Sequence, residues 1–198
     1  TILSSLNLNS ANLKPPFLSN ISAFYNINYL RPGEPKIPDG TDALIVMYAP
    51  RLPVESLFAI DQYMVSGGKT LFMFDPSNNT SPDESIRAPD RNADAFALDH
   101  PADLLRKWGI NYSGNEIVGD KTFATPVSQG ERGTTSYPLW LSLDRRSVNS
   151  SLPFMGFVNE VLLPESGYFQ AGKIPEGLTY ETVLRTSPAS QVVTREVL

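Results

Sequence analysis

Two short apolar runs, Ala43-Leu-Ile-Val-Met47 and Thr70-Leu-Phe-Met-Phe74, constrain the fold of this chain more than any other feature. Each run is continuous rather than alternating, the pattern of a strand covered on both faces as in a parallel sheet. Between them, Pro50 and Pro53 break the backbone, and Pro53 suits the first turn of a helix. Val54, Leu57, Phe58, Met64 and Val65 then recur at helical spacing as the expected core face, while Glu55, Asp61 and Gln62 fill much of the other. Gly67-Gly68 ends that helix, because glycine accepts the left-handed backbone needed there. Asp75-Pro76 stops the second strand. Strand, helix and strand at this spacing predict a βαβ unit, right-handed by default.

The flanking sequence is less explicit. Ile2 to Leu6 reads as a first strand and Ala23 to Leu30 as a second, with a polar, proline-containing stretch of little helical periodicity between them. Residues 77–95, rich in Ser, Asn, Asp and Pro, predict a long mobile loop. Pro101 opens a short helix with Leu104, Leu105 and Trp108 on one face and Gly109 as its stop. Glu116 to Gly119 is a predicted strand ending at Asp120. Gly, Ser and Thr dominate from Lys121 to Tyr137, before the apolar cluster Leu139-Trp-Leu141. Residues 157–163 and 180–185 are read as the last strands, and no internal repeat is visible. The fold class predicted is α/β: an open, mostly parallel sheet with flanking helices, flavodoxin- or amidotransferase-like, with a looser mixed C-terminal portion. Residues 1–120 are expected to form the α/β core, and residues 121–198 to pack on it or complete the same domain.

Composition narrows the function. At 198 residues and 41% hydrophobic, the chain supports one well-packed domain, or one with an appendage. Sixteen basic residues stand against 21 acidic ones, for a net charge of −5, and no basic block tracks a phosphate backbone, so nucleic acid is not an expected partner. The absence of cysteine removes disulfides, thiolate metal sites and cysteine nucleophiles together. Apolar runs as short as 43–47 do not span a bilayer. The opening Thr1-Ile-Leu3 carries no signal-peptide pattern, and both ends read as cut from something longer, so membrane segments are expected outside this chain.

Motifs for chemistry are scarce. Ser66-Gly-Gly-Lys-Thr70 superficially resembles the end of a P-loop, but Tyr63 stands where that loop needs glycine, and these glycines close a helix instead of opening one. The single histidine, His100, reads as a loop or cap residue, and no Gly-x-Ser-x-Gly elbow marks a serine for attack. Asp83, Glu84, Asp90, Asp94 and Asp99 lack the spacing of a calcium loop and read as a solvated run. Neither a metal nor a cofactor is expected. In an open α/β sheet, ligands bind beyond the carboxyl ends of the strands. There the chain offers Tyr48, then Asp75 and Ser77, then Asp120, groups suited to a sugar or another polar ligand. Against this stands the plainer reading that Asp75-Pro76 is a turn and Tyr48 only packs.

The block Ile37 to Met47, then Leu57 to Lys69 containing Ala59-Ile-Asp-Gln-Tyr63 and Gly67-Gly68, then Phe74-Asp-Pro76, resembles the ABC-type transport auxiliary family, which includes gliding-motility-associated, GldG-like proteins. Leu104-Leu-Arg-Lys-Trp-Gly109, Val118-Gly-Asp120, Tyr137-Pro-Leu-Trp-Leu141 and Leu162-Leu-Pro-Glu-Ser-Gly167 continue the likeness in the same order over most of the chain. One departure is Tyr48-Ala-Pro50, where the family commonly has His-Pro. The resemblance implies the extracytoplasmic, periplasmic domain of an inner-membrane-anchored bacterial protein working beside separate permease and ATPase subunits. It carries over no catalytic residues. A more distant likeness to domains of an intraflagellar transport protein implies a possible glycan ligand. The expectation is therefore a non-catalytic auxiliary subunit acting through protein–protein contacts. The alternative is a carbohydrate or small polar ligand module at the strand ends. An enzyme, such as a hydrolase on an amidotransferase-like fold, comes third, because neither cysteine nor a serine motif supplies its nucleophile.

Overall fold

The computed structural model describes residues 1–8, 15–34, 36–49, 51–76 and 101–194. The predicted loop over 77–95, Ser77, Pro50, His100 and the carboxylates Asp83, Glu84, Asp90, Asp94 and Asp99 lie outside the described residues. The chain divides into two compact units, the first running to Phe74 and including the helix before Trp108, the second holding Asp75-Pro76 and the chain from Gly109 onward.

The first unit is the α/β layer that the two apolar runs foretell. Its elements are β1 (Ile2–Leu3), α1 (Pro16–Ile21), β2 (Tyr29–Leu30), β3 (Ala43–Met47), α2 (Val54–Val65), β4 (Lys69–Met73) and α3 (Pro101–Lys107). The four strands pair in parallel in the order β2-β1-β3-β4, with Ile2 opposite both Tyr29 and Ile45, and Ile45 opposite Leu71. Because side chains alternate across the pleat, one face gives Leu3, Leu30, Leu44 and Val46 to a core with Ala59 and Ile60 of α2 and Leu104 of α3. The other gives Ile2 and Met47 to a core with Leu6, Leu8 and Leu18 of α1. Helices on both faces explain why these strands are apolar throughout.

Helix α2 is rotated from the expected setting. Ser56, Ala59 and Ile60 are its buried residues, with Leu57, Tyr63 and Met64 packed beside them, while Val54, Phe58 and Val65 face outward. Small Ser56 and Ala59 let the helix lie close to the sheet, and Ser56 Oγ accepts the Gly33 N–H at 2.9 Å. The helix ends as Gly67-Gly68 foretell. Gly67 N–H donates to Met64 O and Gly68 N–H to Tyr63 O, with Gly67 at φ 90°, the paired bonds of a Schellman cap. Lys69 and Thr70 then open β4, so the P-loop-like string is a helix stop. Asp61 accepts the Trp108 indole N–H at 3.4 Å, tying α2 to the end of α3.

Two N-terminal expectations change. Residues 16–21 are helical despite their weak periodicity, because a helix this short shows too few turns to display one. Only Tyr29–Leu30 of the stretch 23–30 is strand. The N–H groups of Ser22, Ala23, Phe24 and Tyr25 instead donate back to carbonyls of α1, continuing it in turns.

The second unit is antiparallel. It comprises β5 (Ile110–Tyr112), β6 (Glu116–Asp120), β7 (Ala124–Ser128), β8 (Thr134–Asp144), β9 (Glu160–Pro164), β10 (Phe169–Ala171) and β11 (Ser190–Thr194). β5 pairs with β10, β6 with β11, and β7-β8-β9 form a three-stranded sheet. Val118, Phe123, Leu141 and Leu143 form its core, with Val161, Leu163 and Leu184 against them. The strand expected over 157–163 begins at Glu160, and the one expected over 180–185 is a single bridge from Leu184 to Val148. Gly109 turns the chain into this unit at φ 82°, and a Cβ there would meet Lys173 O at 2.5 Å.

Candidate functional site

The strand order places a topological switch between β1 and β3, where successive connections leave in opposite directions and open α/β sheets bind ligands. Its carboxyl ends carry Ser4 and Ser5 after β1 and Tyr48 and Ala49 after β3. A backbone bond from Ser5 N–H to Tyr48 O at 3.2 Å stitches the two ends together, and buried Ser4 Oγ accepts the Leu6 N–H. Tyr48 adopts φ 47°, a left-handed conformation costly to a side chain of this size, and its ring packs against the Leu6, Leu8, Leu18 and Met47 cluster. Tyr48 thus places backbone strain at the switch, as Glu165 at φ 46° does in the second unit.

The other strand-end candidates are placed differently. Asp75 is half-buried and belongs to the second unit with Asp120, whereas Tyr48 belongs to the first. Ser77 lies outside the described residues. Asp120 is fully buried at the end of β6. It accepts the Ser187 N–H at 2.6 Å, the Ser187 hydroxyl at 2.8 Å and the Thr122 N–H at 2.8 Å. Burial pushes its carboxyl up, but the bonds from Ser187, Thr122 and Phe123 outweigh that and hold it below the usual carboxylate range. Its oxygens thus tie the turn after β6 to the turn before β11. Among the described residues, no cluster of three or more His, Cys, Asp or Glu side chains suits a metal ion.

Surfaces in the first unit are more apolar than its core demands. On the solvent side of α2, Val54, Phe58 and Val65 are 67%, 62% and 65% exposed. Their spacing sets them along one face of the helix. Phe58, Gln62 and Ser66 border an open concavity of about 390 Å³ whose far wall is the segment 36–41, held by the Tyr63 hydroxyl donating to Thr41 O at 3.0 Å. On the opposite side of the sheet, edge strand β4 exposes Leu71 and Met73.

The second unit holds a smaller, polar groove of about 270 Å³, lined by Asn111, Tyr112, Ser113, Glu116, Tyr168 and Gln170. The Tyr168 hydroxyl donates to Glu116 Oε2 at 2.9 Å, and burial first, then the Glu116 carboxylate, pushes the phenol pKa up. Sequence reasoning passed over these residues because they meet only through the pairing of β5 with β10, and no local spacing signals that pairing.

No helix among the described residues is long and apolar enough to cross a membrane. The family model described as an ABC-type uncharacterized transport system, an auxiliary component, matches residues 3–198, and the chain belongs to that family. No curated protein matches the chain.

Proposed function

We propose that this chain is a non-catalytic, extracytoplasmic part of an auxiliary subunit of a bacterial ABC-type transport system, and that it works by contact with the permease and, through it, the ATPase. The observation that carries the reading is the apolar stripe of Val54, Phe58 and Val65 on the outward face of α2. A monomeric surface seldom presents large aliphatic and aromatic groups in line beside a concavity unless something covers them. The occupant favoured is the outward-facing surface of the permease, since a membrane-anchored neighbour meets this domain at high local concentration. The extracytoplasmic setting rests on the family's transport role.

Co-purification from membranes tests this. Tagged wild-type protein should retain the permease and ATPase, and Phe58→Glu with Val65→Glu should lose both while keeping its melting temperature, because neither side chain is part of the core. Undiminished retention by that variant, or a catalytic activity of the isolated chain, would overturn the reading. Protease added to intact spheroplasts should digest the domain; protection would reject the extracytoplasmic placement.

A further inference from the structure

The loop 145–159 joins β8 to β9, whose ends Asp144 and Glu160 stand opposite each other in the ladder. Its backbone is pinned along most of its length. Val148 bridges to Leu184, the Asn149 N–H donates to Val183 O at 2.9 Å, and Asn149 Oδ1 accepts the Ser151 N–H and hydroxyl. A 3₁₀ turn, Pro153–Met155, follows, and the Val158 N–H closes on Met155 O at 3.1 Å. At the base, the Arg145 Nε–H donates to Asn159 Oδ1 at 2.8 Å. Of the three large apolar side chains at the tip, only Met155 is taken inward, while Phe154 is 65% and Phe157 89% exposed. The turn fixes that choice, since neighbours in so tight a turn point in different directions. Two phenyl rings are thus held out in water by a braced loop.

Area and charge say what covers them. Together the two rings present about 300 Å², well short of the roughly 800 Å² that each side of a stable protein–protein interface buries. A lipid surface needs no such area and no matching concavity, because it yields around a projecting ring. Between Asp144 and Glu160 the loop carries Arg145 and Arg146 and no carboxylate. Arg146 is held by Asp144 at 2.7 Å, whereas Arg145 bonds the neutral Asn159 amide and forms no ion pair among the described residues. A guanidinium without a carboxylate, beside exposed aromatic rings, suits a phosphate above an acyl layer. We propose that the tip of the β8–β9 loop inserts Phe154 and Phe157 into a phospholipid surface, with Arg145 paired to a lipid phosphate. Glu160 follows the loop and Glu181 approaches Asn149 at 3.5 Å, so net charge attraction is small and ring insertion supplies most of the binding. The braced tip loses little freedom on insertion. This contact is independent of the α2 surface, and either can fail without the other.

The test is flotation of the full chain with vesicles of phosphatidylethanolamine and phosphatidylglycerol, and with vesicles of phosphatidylcholine alone. Wild type should float with both. Phe154→Ser with Phe157→Ser should lower the partition coefficient about tenfold or more, at unchanged melting temperature, since neither ring belongs to the core. Arg145→Gln should lower it less, by about fivefold. The chain has no cysteine, so Phe157→Cys carrying a nitrobenzoxadiazole label reports the tip by itself. Its emission should shift to the blue on adding vesicles and be quenched by lipids spin-labelled high in the acyl chain. The same label on Glu131→Cys, in the turn at the far end of β8, should do neither. The proposal is overturned if wild type stays off both vesicles or if the double variant floats as wild type. It is overturned equally if the label at position 157 shifts without lipid as the chain is concentrated, or only when the vesicles carry the permease. Those results would give the tip to a second copy or to a protein partner.

Discussion

Asp120 is a fully buried carboxylate on which hydrogen bonds from two turns converge. Replacing it by alanine leaves the Ser187 N–H, the Ser187 hydroxyl and the Thr122 N–H without their acceptor. Unfolding in urea should show a loss of about 3 kcal/mol, the sum expected for buried donors left unmet. Its titration sets the sign of a pH effect. The folded carboxyl is held below its unfolded value of about 3.9, so its stabilisation is complete above that value and lost as pH falls through the folded one. Wild-type stability should therefore drop on acidification below about pH 4, and Asp120→Asn, less stable at neutral pH, should show a shallower acid limb. Equal acid limbs would mean that other carboxylates dominate. Tyr48 makes a second case. Its φ of 47° penalises any residue with a Cβ, so Tyr48→Gly should be about 1 kcal/mol more stable than Tyr48→Ala, the reverse of the usual order. Both variants lose the ring's packing, so the comparison isolates the backbone, and guanidinium unfolding of the pair reads it directly.

At the scale of elements, the end of α2 shows how packing and capping share one residue. A Cβ on Gly68 would fall 2.3 Å from the Tyr63 ring, which is anchored by its hydroxyl on Thr41 O and has little room to retreat. Gly68→Ala should cost about 2 kcal/mol by overpacking. In a Tyr63→Ala background the same change should cost under about 0.5 kcal/mol, a coupling that a double-mutant cycle measures. This unit was readable in advance because its punctuation is local: Pro53, Gly67-Gly68 and Asp75-Pro76 bracket elements whose apolar runs are covered on both faces. The rotation of α2 was not, since Val54, Phe58 and Val65 share the helical period with Leu57 and Met64, and periodicity cannot say which stripe meets the sheet. The second unit hides its strands for another reason. β8 begins Thr134-Thr-Ser-Tyr and alternates exposed with half-buried residues, so it reads as loop, and β11 pairs with β6 across most of the unit's length. Half-exposed antiparallel strands take their identity from distant partners, and a groove made by such pairing, such as that of Asn111 and Gln170, is invisible until the register is known. Asp120 was legible as a strand end, but its burial under Ser187 came only with the fold.

Across the whole molecule, the two units keep separate cores. The clusters around Leu44 and around Ile2 lie in the first, the cluster around Leu141 and Leu143 in the second, and they share no residue. The chain's two tryptophans fall one to each, Trp108 in the first unit and Trp140 in the second. Fluorescence of Trp140→Phe and Trp108→Phe proteins therefore reports each unit's unfolding by itself. Leu143→Ala empties a buried site in the second core and should lower the Trp140 transition by about 2–5 kcal/mol. If the two units unfold independently, the Trp108 transition should stay within about 0.5 kcal/mol. Leu44→Ala should do the reverse. Such independence would let one unit carry a partner contact while the other opens or binds without disturbing it, the use that separate cooperative units make possible. Coincident shifts of both tryptophans in both variants would instead make the chain a single cooperative body.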